Sequence, residues 1–391
     1  MTRVVILGGG YAGVMAALRL SGRSGRGAAV TLVNERAAFV ERIRLHERAA
    51  GRRVPARSLA RMLRGTRTRL VVDRAVRLDP ARRTVTLGGG GELRYDLLIY
   101  ALGSARRDGP IPGLAEHAYD VATEPGAVAL ASRLDAARRG ASVCVIGAGL
   151  TGVELATELA EARPSLRVTL VARGPVGAGL SEAGSEALGA ALRELGVRVV
   201  EHAAVRAVGS GAVETSDGGR LDADVSVWCG GLAAAPLARE AGLATTPSGA
   251  LAVDAELRAL GAPDILGAGD GAAIVAPRPL PLRMACATAL PLGAHAADNA
   301  LRALAGGELT PFRFAYALRC LSLGRERGLI QRVARDDTPS HGVVAGAAGA
   351  RIKGSVCRYT TAVLAIERLL PGSYTWPGRR STEPAIEAML T

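Results

Sequence analysis

The sequence predicts an α/β chain made of two Rossmann-like units followed by a small α+β region. Three observations predict it. A strand, a Gly-rich turn and a helix follow one another at the N-terminus; the same order returns from Val143; and each cycle is followed by a second short apolar strand.

Each element has its own justification. In "VVILGGGYAGVMAALRL", residues 4–7 are a β-branched apolar strand, residues 8–13 a turn and residues 14–20 a helix. "AAVTLVNE" supplies the second strand, ending at Asn34 and Glu35. "TVTLGGGGELRYDLLIYALGS" reads as a hairpin running into a buried strand. "VCVIGAGLTGVELATELA" restarts the cycle, "LRVTLVAR" gives its second strand, and "LDADVSVWCGGL" parallels the earlier "YDLLIYALGS". "APDILGAGD" is a further buried strand ending at Gly269 and Asp270. Beyond about Pro311, residues 311–334 read as strands, residues 350–370 as an amphipathic basic helix, and residues 371–384 as a turn-rich tail. The expected domains are 1–115 with 250–310, an inserted 116–249, and 311–391.

Composition bounds the function. With 391 residues, 49% of them apolar, there is core material for two domains and a small third. The formal charge of +13 would suit nucleic acid, but Lys353 is the single lysine and the arginines are spread along the chain. Nucleic-acid binding wants the charge gathered on one face with stacking aromatics, and aromatics are only 3% here, so no such partner is expected. Cys144, Cys229, Cys286, Cys320 and Cys357 show no paired spacing and read as reduced, mostly buried thiols in a cytoplasmic protein. His46, His117, His202, His295 and His341 are scattered without metal-ligand spacing and read as structural or exposed. No apolar run reaches the roughly 18 residues of a spanning helix.

The two turns carry the chemistry. In G-x-G-x-x-G the first glycine makes the tight turn, the second admits a pyrophosphate to the backbone, and the third lets helix and strand pack closely. Gly8, Gly10 and Gly13 fit, as do Gly147, Gly149 and Gly152. One such match is weak; two, each between a strand and a helix, predict two dinucleotide sites. The position after "VTLV" in the second unit is Ala172 followed by Arg173, where an NAD site wants a carboxylate; an arginine suits a 2′-phosphate and favours NADPH. Gly152 argues the other way, because NADP-specific sites often lose that glycine.

The layout of residues 1–310 resembles the two-dinucleotide-binding flavoproteins, the pyridine nucleotide–disulfide oxidoreductase family. The resemblance implies FAD on the first turn, with Tyr11 and Ala12 beside it, and NAD(P)H on the second, with Thr151 beside it. Asn34 and Glu35 would meet the FAD ribose. "YDLLIYALGS" resembles the family's ATG-type motif, with Ala101 and Gly103 kept, and Gly230 stands in the corresponding phrase of the second unit. "DILGAGD" resembles its second FAD motif, in which Gly269 and Asp270 approach the ribityl–phosphate region.

Within the family, "GLTGVELATELA" and the C-terminal extension are most similar to type II NADH dehydrogenases of actinobacterial type. "FVERIRLHERAAG" stands where those enzymes have a flavin-contacting loop, which brings in Arg42. The same likeness places Glu154 near the flavin ring, with Lys353 bonded to it. Each residue also reads as an ordinary surface group.

Three departures stand out. No redox cysteine pair flanks the flavin helix, so disulfide reduction is not expected. Cys286–Ala287 and Pro291–Leu292 replace the polar pairs of the quinone-reducing relatives, although Gly293 is kept. Ala172–Arg173 stands where a carboxylate is usual. The resemblance therefore implies a ping-pong FAD-dependent NAD(P)H dehydrogenase whose small-molecule electron acceptor is a quinone or quinone-like aromatic. Two other readings stay open: a tailoring oxidoreductase of specialised metabolism, and a nucleotide-responsive flavoprotein resembling apoptosis-inducing factor. Peripheral contact with the inner face of a membrane, through the basic helix, and a homodimer stay open as well.

Overall fold

The structure is a computed structural model that describes residues 1–25 and 27–379. The end of the expected tail, residues 380–384, lies outside the described residues.

Two largely parallel sheets organise the chain. In the larger, strand Thr2–Leu7 lies between Ala28–Asn34 and Leu97–Tyr100, all parallel, and Ala262–Gly267 adds on beyond Leu97–Tyr100. This eight-stranded sheet carries Arg69–Val72 at one edge and Ala272–Ile274 at the other, so its strands come from both ends of the family of fingerprint motifs. The smaller sheet repeats the plan: Ser142–Ile146 lies between Arg167–Val171 and Val225–Trp228. Its central strand, Ser142–Ile146, is buried along its whole length, as a parallel strand covered on both faces must be.

Helix Tyr11–Arg23 follows the first turn and Leu150–Ala162 the second. The first helix therefore begins three residues earlier than its apolar periodicity indicates. The opening turn of a helix is helical in backbone although its N–H groups have no partner within the helix, so periodicity marks it poorly. Helix Cys286–Leu304 packs directly on Tyr11–Arg23, and a Cβ on Gly293 would collide with the backbone oxygen of Ala12. That close approach explains why glycine stands at 293.

Behind the two sheets, Leu318–Ser322, Gly328–Val333 and Pro339–Ala345 form an antiparallel sheet, and helix Gly346–Leu369 crosses back over it. Residues 311–317, expected as strand, are not. Their alternating Phe312, Phe314 and Tyr316 are spent on ring contacts, Phe312 stacking with Phe314 and with Trp376 at 6.2 Å. Their backbone N–H groups go to three separate segments, at Ala255, Pro377 and Arg335, so no ladder forms.

Candidate functional site

The two turns are built alike down to single hydrogen bonds. Gly8 N–H donates to Val33 O and Gly147 N–H to Val171 O, both at 2.8 Å. Gly8 has φ +103° and Gly147 φ +106°, a backbone region that only glycine enters freely. A Cβ on Gly8 would collide with the Ala101 carbonyl; on Gly147 it would come within 2.8 Å of the Cys229 carbonyl. A Cβ on Gly13 would strike Gly8 O, and one on Gly152 would strike Gly147 O. The middle glycines behave differently: Gly10 and Gly149 are exposed and have nothing within 4 Å on the Cβ side.

That contrast is a fit test for a bound dinucleotide. First and third glycines are closed by the protein's own backbone, while the middle one faces open space where a phosphate can reach the chain. The helix starts agree. Neither Gly10 nor Gly149 provides a side-chain cap, whereas Thr123 and Ser181 cap the helices they begin. Two uncapped N-termini, each at the carboxyl end of a central parallel strand, present free N–H groups and a positive dipole end to an anion. Thr151 is exposed in the first turn of the second helix. Tyr11 and Ala12 are buried, with the Tyr11 ring edge-on to Phe39 at 5.0 Å.

At the far end of each second strand lie the expected ribose partners. The Asn34 amide is already used twice, accepting from Gly9 N–H at 2.7 Å and donating to Arg36 O at 2.8 Å. Glu35 beside it is exposed, 3.3 Å from Arg36. In the second unit Ala172 is buried and Arg173 is exposed at the corresponding place. The second flavin-type motif converges on the same edge as the first turn. Asp270 accepts from Ser104 Oγ at 2.9 Å, and Arg42 donates to Ser104 O at 2.5 Å. Burial pushes the Asp270 carboxyl up, against the charge of Arg42 and the Ser104 hydroxyl. Gly269 packs on Ala12, and Gly103 takes φ +72° beside Arg42. Gly230 is covered by the Trp228 ring.

A charged cluster sits where helix Leu150–Ala162 meets the C-terminal region. Lys353 Nζ donates to Glu154 Oε1 at 2.7 Å and to Cys320 O at 3.1 Å, and Ser322 N–H donates to the same Oε1 at 2.9 Å. Burial raises the proton affinity of the Glu154 carboxyl, but Lys353, His46 and the Ser322 N–H outweigh it, and the carboxyl ends below its ordinary range. Burial would lower Lys353, yet Glu154 holds it above its ordinary value. His46, scattered in sequence, is here: its Nδ1 is 3.9 Å from Glu154 Oε2. Its position inside the flavin-loop segment was a signal for it; its partner on a distant helix was not.

The cysteines differ from expectation. Cys144 is buried in the core, and the other four are half-buried. Cys229 and Cys286 pack against the edges of the core, and Cys320 offers its carbonyl to Lys353. Burial pushes the Cys229 and Cys286 thiols up to about 12 and raises Cys320 and Cys357 as well, so all four stay protonated thiols. Among the described residues no group of His, Cys, Asp or Glu could hold a metal ion. A cavity of about 270 Å³ opens beside Asp270, with Leu257, Ile274, Leu280, Met284 and Leu292 among its apolar walls.

Comparison with known proteins agrees with this geometry. The family model described as pyridine nucleotide-disulphide oxidoreductase matches residues 2–298. An NADH dehydrogenase-like protein of Mycobacterium tuberculosis is 33% identical over 83% of this chain and 86% of its own length. The type II NADH:quinone oxidoreductase of Staphylococcus epidermidis is 26% identical over 84% and 89%. The sulfide:quinone oxidoreductase structure from Aquifex aeolicus superposes with a TM-score of 0.80, covering 95% of this chain and 93% of its own, at 19% identity.

Proposed function

Because the chain belongs to the pyridine nucleotide-disulphide oxidoreductase family, we propose that it is an FAD-dependent NAD(P)H dehydrogenase that passes electrons to a quinone-like acceptor. The observation that carries this reading is the duplicated cradle: Gly10 and Gly149 open to solvent, each between two glycines closed by backbone. One cradle holds FAD between residues 8–13, Arg42 and Asp270; the other docks the nicotinamide nucleotide over residues 147–152. The flavin, when bound, supplies the chemistry, taking hydride from the nucleotide and giving electrons to the acceptor.

The chain's own residues bind, orient and shield. The two helix N-termini neutralise the pyrophosphates. Asp270, held by Ser104 and the Ala285 backbone beside Arg42, turns its carboxylate toward a sugar hydroxyl. Exposed Arg173 gives the second site a guanidinium for a 2′-phosphate, which favours NADPH. Glu154 and Lys353 form a buried ion pair beside the meeting point of the two units and hold a proton on Lys353 Nζ. The thiols that border the site are kept protonated by burial, so the reading gives them no part in electron transfer. The apolar cavity beside Asp270 and the quinone-reducing relatives both support an apolar aromatic acceptor.

Among the described residues no helix is long and apolar enough to cross a membrane. Tyr359, Ile366, Leu369 and Leu370 are nevertheless exposed along the C-terminal helix with Arg351 and Arg358, a face suited to lying on a membrane surface.

The absorption spectrum of the purified protein, followed by anaerobic titration with NADH and with NADPH, tests the reading. A flavin spectrum bleached by either nucleotide and restored by menadione over many turnovers is expected. A colourless chain that stays colourless after reconstitution with FAD refutes it.

A further inference from the structure

Glu154 is held unevenly. Oε1 accepts from both Lys353 and Ser322, while Oε2 takes no hydrogen bond from any described residue. The group facing Oε2 is the His46 ring, with Nδ1 at 3.9 Å. His46 is 5% exposed, and its Nε2 is buried without a partner. A buried imidazole with one idle nitrogen is costly, and a structural histidine would normally have both nitrogens bonded.

We propose that His46 is a positioning residue for Glu154, its Nδ1–H aimed at the carboxylate oxygen that Lys353 and Ser322 leave free. The inference rests on the reading that Glu154 borders the nicotinamide and flavin. A carboxylate anchored at one oxygen turns about its terminal bond; a donor on the second oxygen fixes its plane. Because Glu154 is ionised, the proton of a neutral ring belongs on Nδ1, and Nε2 carries the lone pair.

Burial, more than the charges around it, keeps the ring neutral. Burial lowers its proton affinity; Glu154 from its helix and Glu47 from His46's own helix raise it; Lys353 from the C-terminal helix and Arg325 from the turn after Leu318–Ser322 lower it again, and the net shift is downward. His46 thus orients Glu154 without neutralising it.

Nitrogen NMR of ring-labelled protein tests this without any turnover, with H46Q used to assign the signal. The wild-type ring is expected as the Nδ1–H tautomer across pH 6–8, and E154Q is expected to relax it toward a mixture. An Nε2–H tautomer in the wild type, or a tautomer indifferent to E154Q, overturns the proposal. In the flavin-loaded protein, H46F is expected to slow flavin reduction by NAD(P)H about tenfold with KM within about twofold, the signature of lost orientation. H46Q, which keeps a donor, is expected to recover most of the rate. Equal rates in H46F and wild type, with E154Q slow, also overturn the proposal. Should E154Q reduce flavin normally while the tautomer still follows Glu154, the site reading fails and the positioning contact stands.

Discussion

Lys353 Nζ lies 2.7 Å from Glu154 Oε1 although 199 residues separate them, and it is the single lysine of the chain. Both side chains are little exposed, 13% and 12%, so neither charge can turn to water if its partner is removed. K353M is therefore expected to cost about 3–5 kcal/mol of stability, because it strands a buried carboxylate. The double variant E154Q/K353M is expected to cost less than K353M alone. Chemical denaturation of K353M, E154Q and the double variant checks this; a double variant that loses the sum of the two singles would mean that the pair is not energetically coupled.

The same pair fixes a pH dependence. Glu154 has a folded proton affinity below its ordinary value of 4.5, so its contribution is present above 4.5 and is lost as pH falls through the lower folded value. Lys353 lies above its ordinary 10.5, so its contribution is full below 10.5 and fades as pH rises toward the higher folded value. Wild type minus E154Q/K353M should be flat between these limits and shrink outside both. Denaturation across pH shows the curve, and a slope centred near neutrality would contradict the assignment.

The cradle glycines separate binding from folding. G10A adds a methyl into open space, so the apoprotein should keep its melting temperature within a few degrees while FAD affinity falls tenfold or more, about 1.4 kcal/mol. G13A drives the same methyl into Gly8 O and should destabilise the apoprotein itself. G149A should leave flavin content intact and raise the KM for the nucleotide. Flavin content, melting curves and steady-state kinetics distinguish the three. Flavin loss in G149A with retention in G10A would reverse the two sites.

How much of this was legible in the sequence follows from the range of each constraint. The paired turns show plainly, because Gly8, Gly13, Gly147 and Gly152 answer to backbone clashes within a few residues or one strand away. The alternation of Phe312, Phe314 and Tyr316 shows equally plainly and misleads, since period two marks any segment with one buried face and not only a strand. The pairing of Glu154 with Lys353 came through family likeness rather than spacing. His46 carried no local mark of its partner: a histidine in a short helix, Leu45–Ala49, looks the same whether or not a carboxylate stands across from it.

The proposed preference for NADPH rests on one exposed side chain. Arg173 follows the strand Arg167–Val171 at the position that meets the adenosine ribose in this type of unit. R173A is expected to lower kcat/KM for NADPH about tenfold or more and to leave NADH within about threefold, since only the former carries the 2′-phosphate that a guanidinium can bind. Parallel steady-state assays with the two nucleotides measure the ratio. Equal effects on both would move phosphate recognition elsewhere.

The fold also depends on a charge that no motif announced. Arg19, on the face of the first helix turned from solvent, is fully buried; it donates to Glu367 at 2.6 Å, to Asp298 at 3.1 Å and to the carbonyl of Tyr374 at 2.6 Å. These contacts tie the first dinucleotide helix to helix Cys286–Leu304 and to the end of the C-terminal helix. Glu367 returns the favour to the backbone, accepting from Gly372 N–H at 2.6 Å and Tyr374 N–H at 2.9 Å. E367Q keeps the shape and an oxygen acceptor but removes the charge facing the guanidinium, and is expected to cost about 3 kcal/mol or more. R19M, which fills similar volume, leaves two carboxylates of which Asp298 still has Arg23 at 2.8 Å, so its loss should be borne chiefly by Glu367. R19M/E367Q should therefore be more stable than R19M. Unfolding measurements on the three variants decide it, and a double variant as unstable as the sum of the singles would show that the network adds nothing beyond its separate contacts.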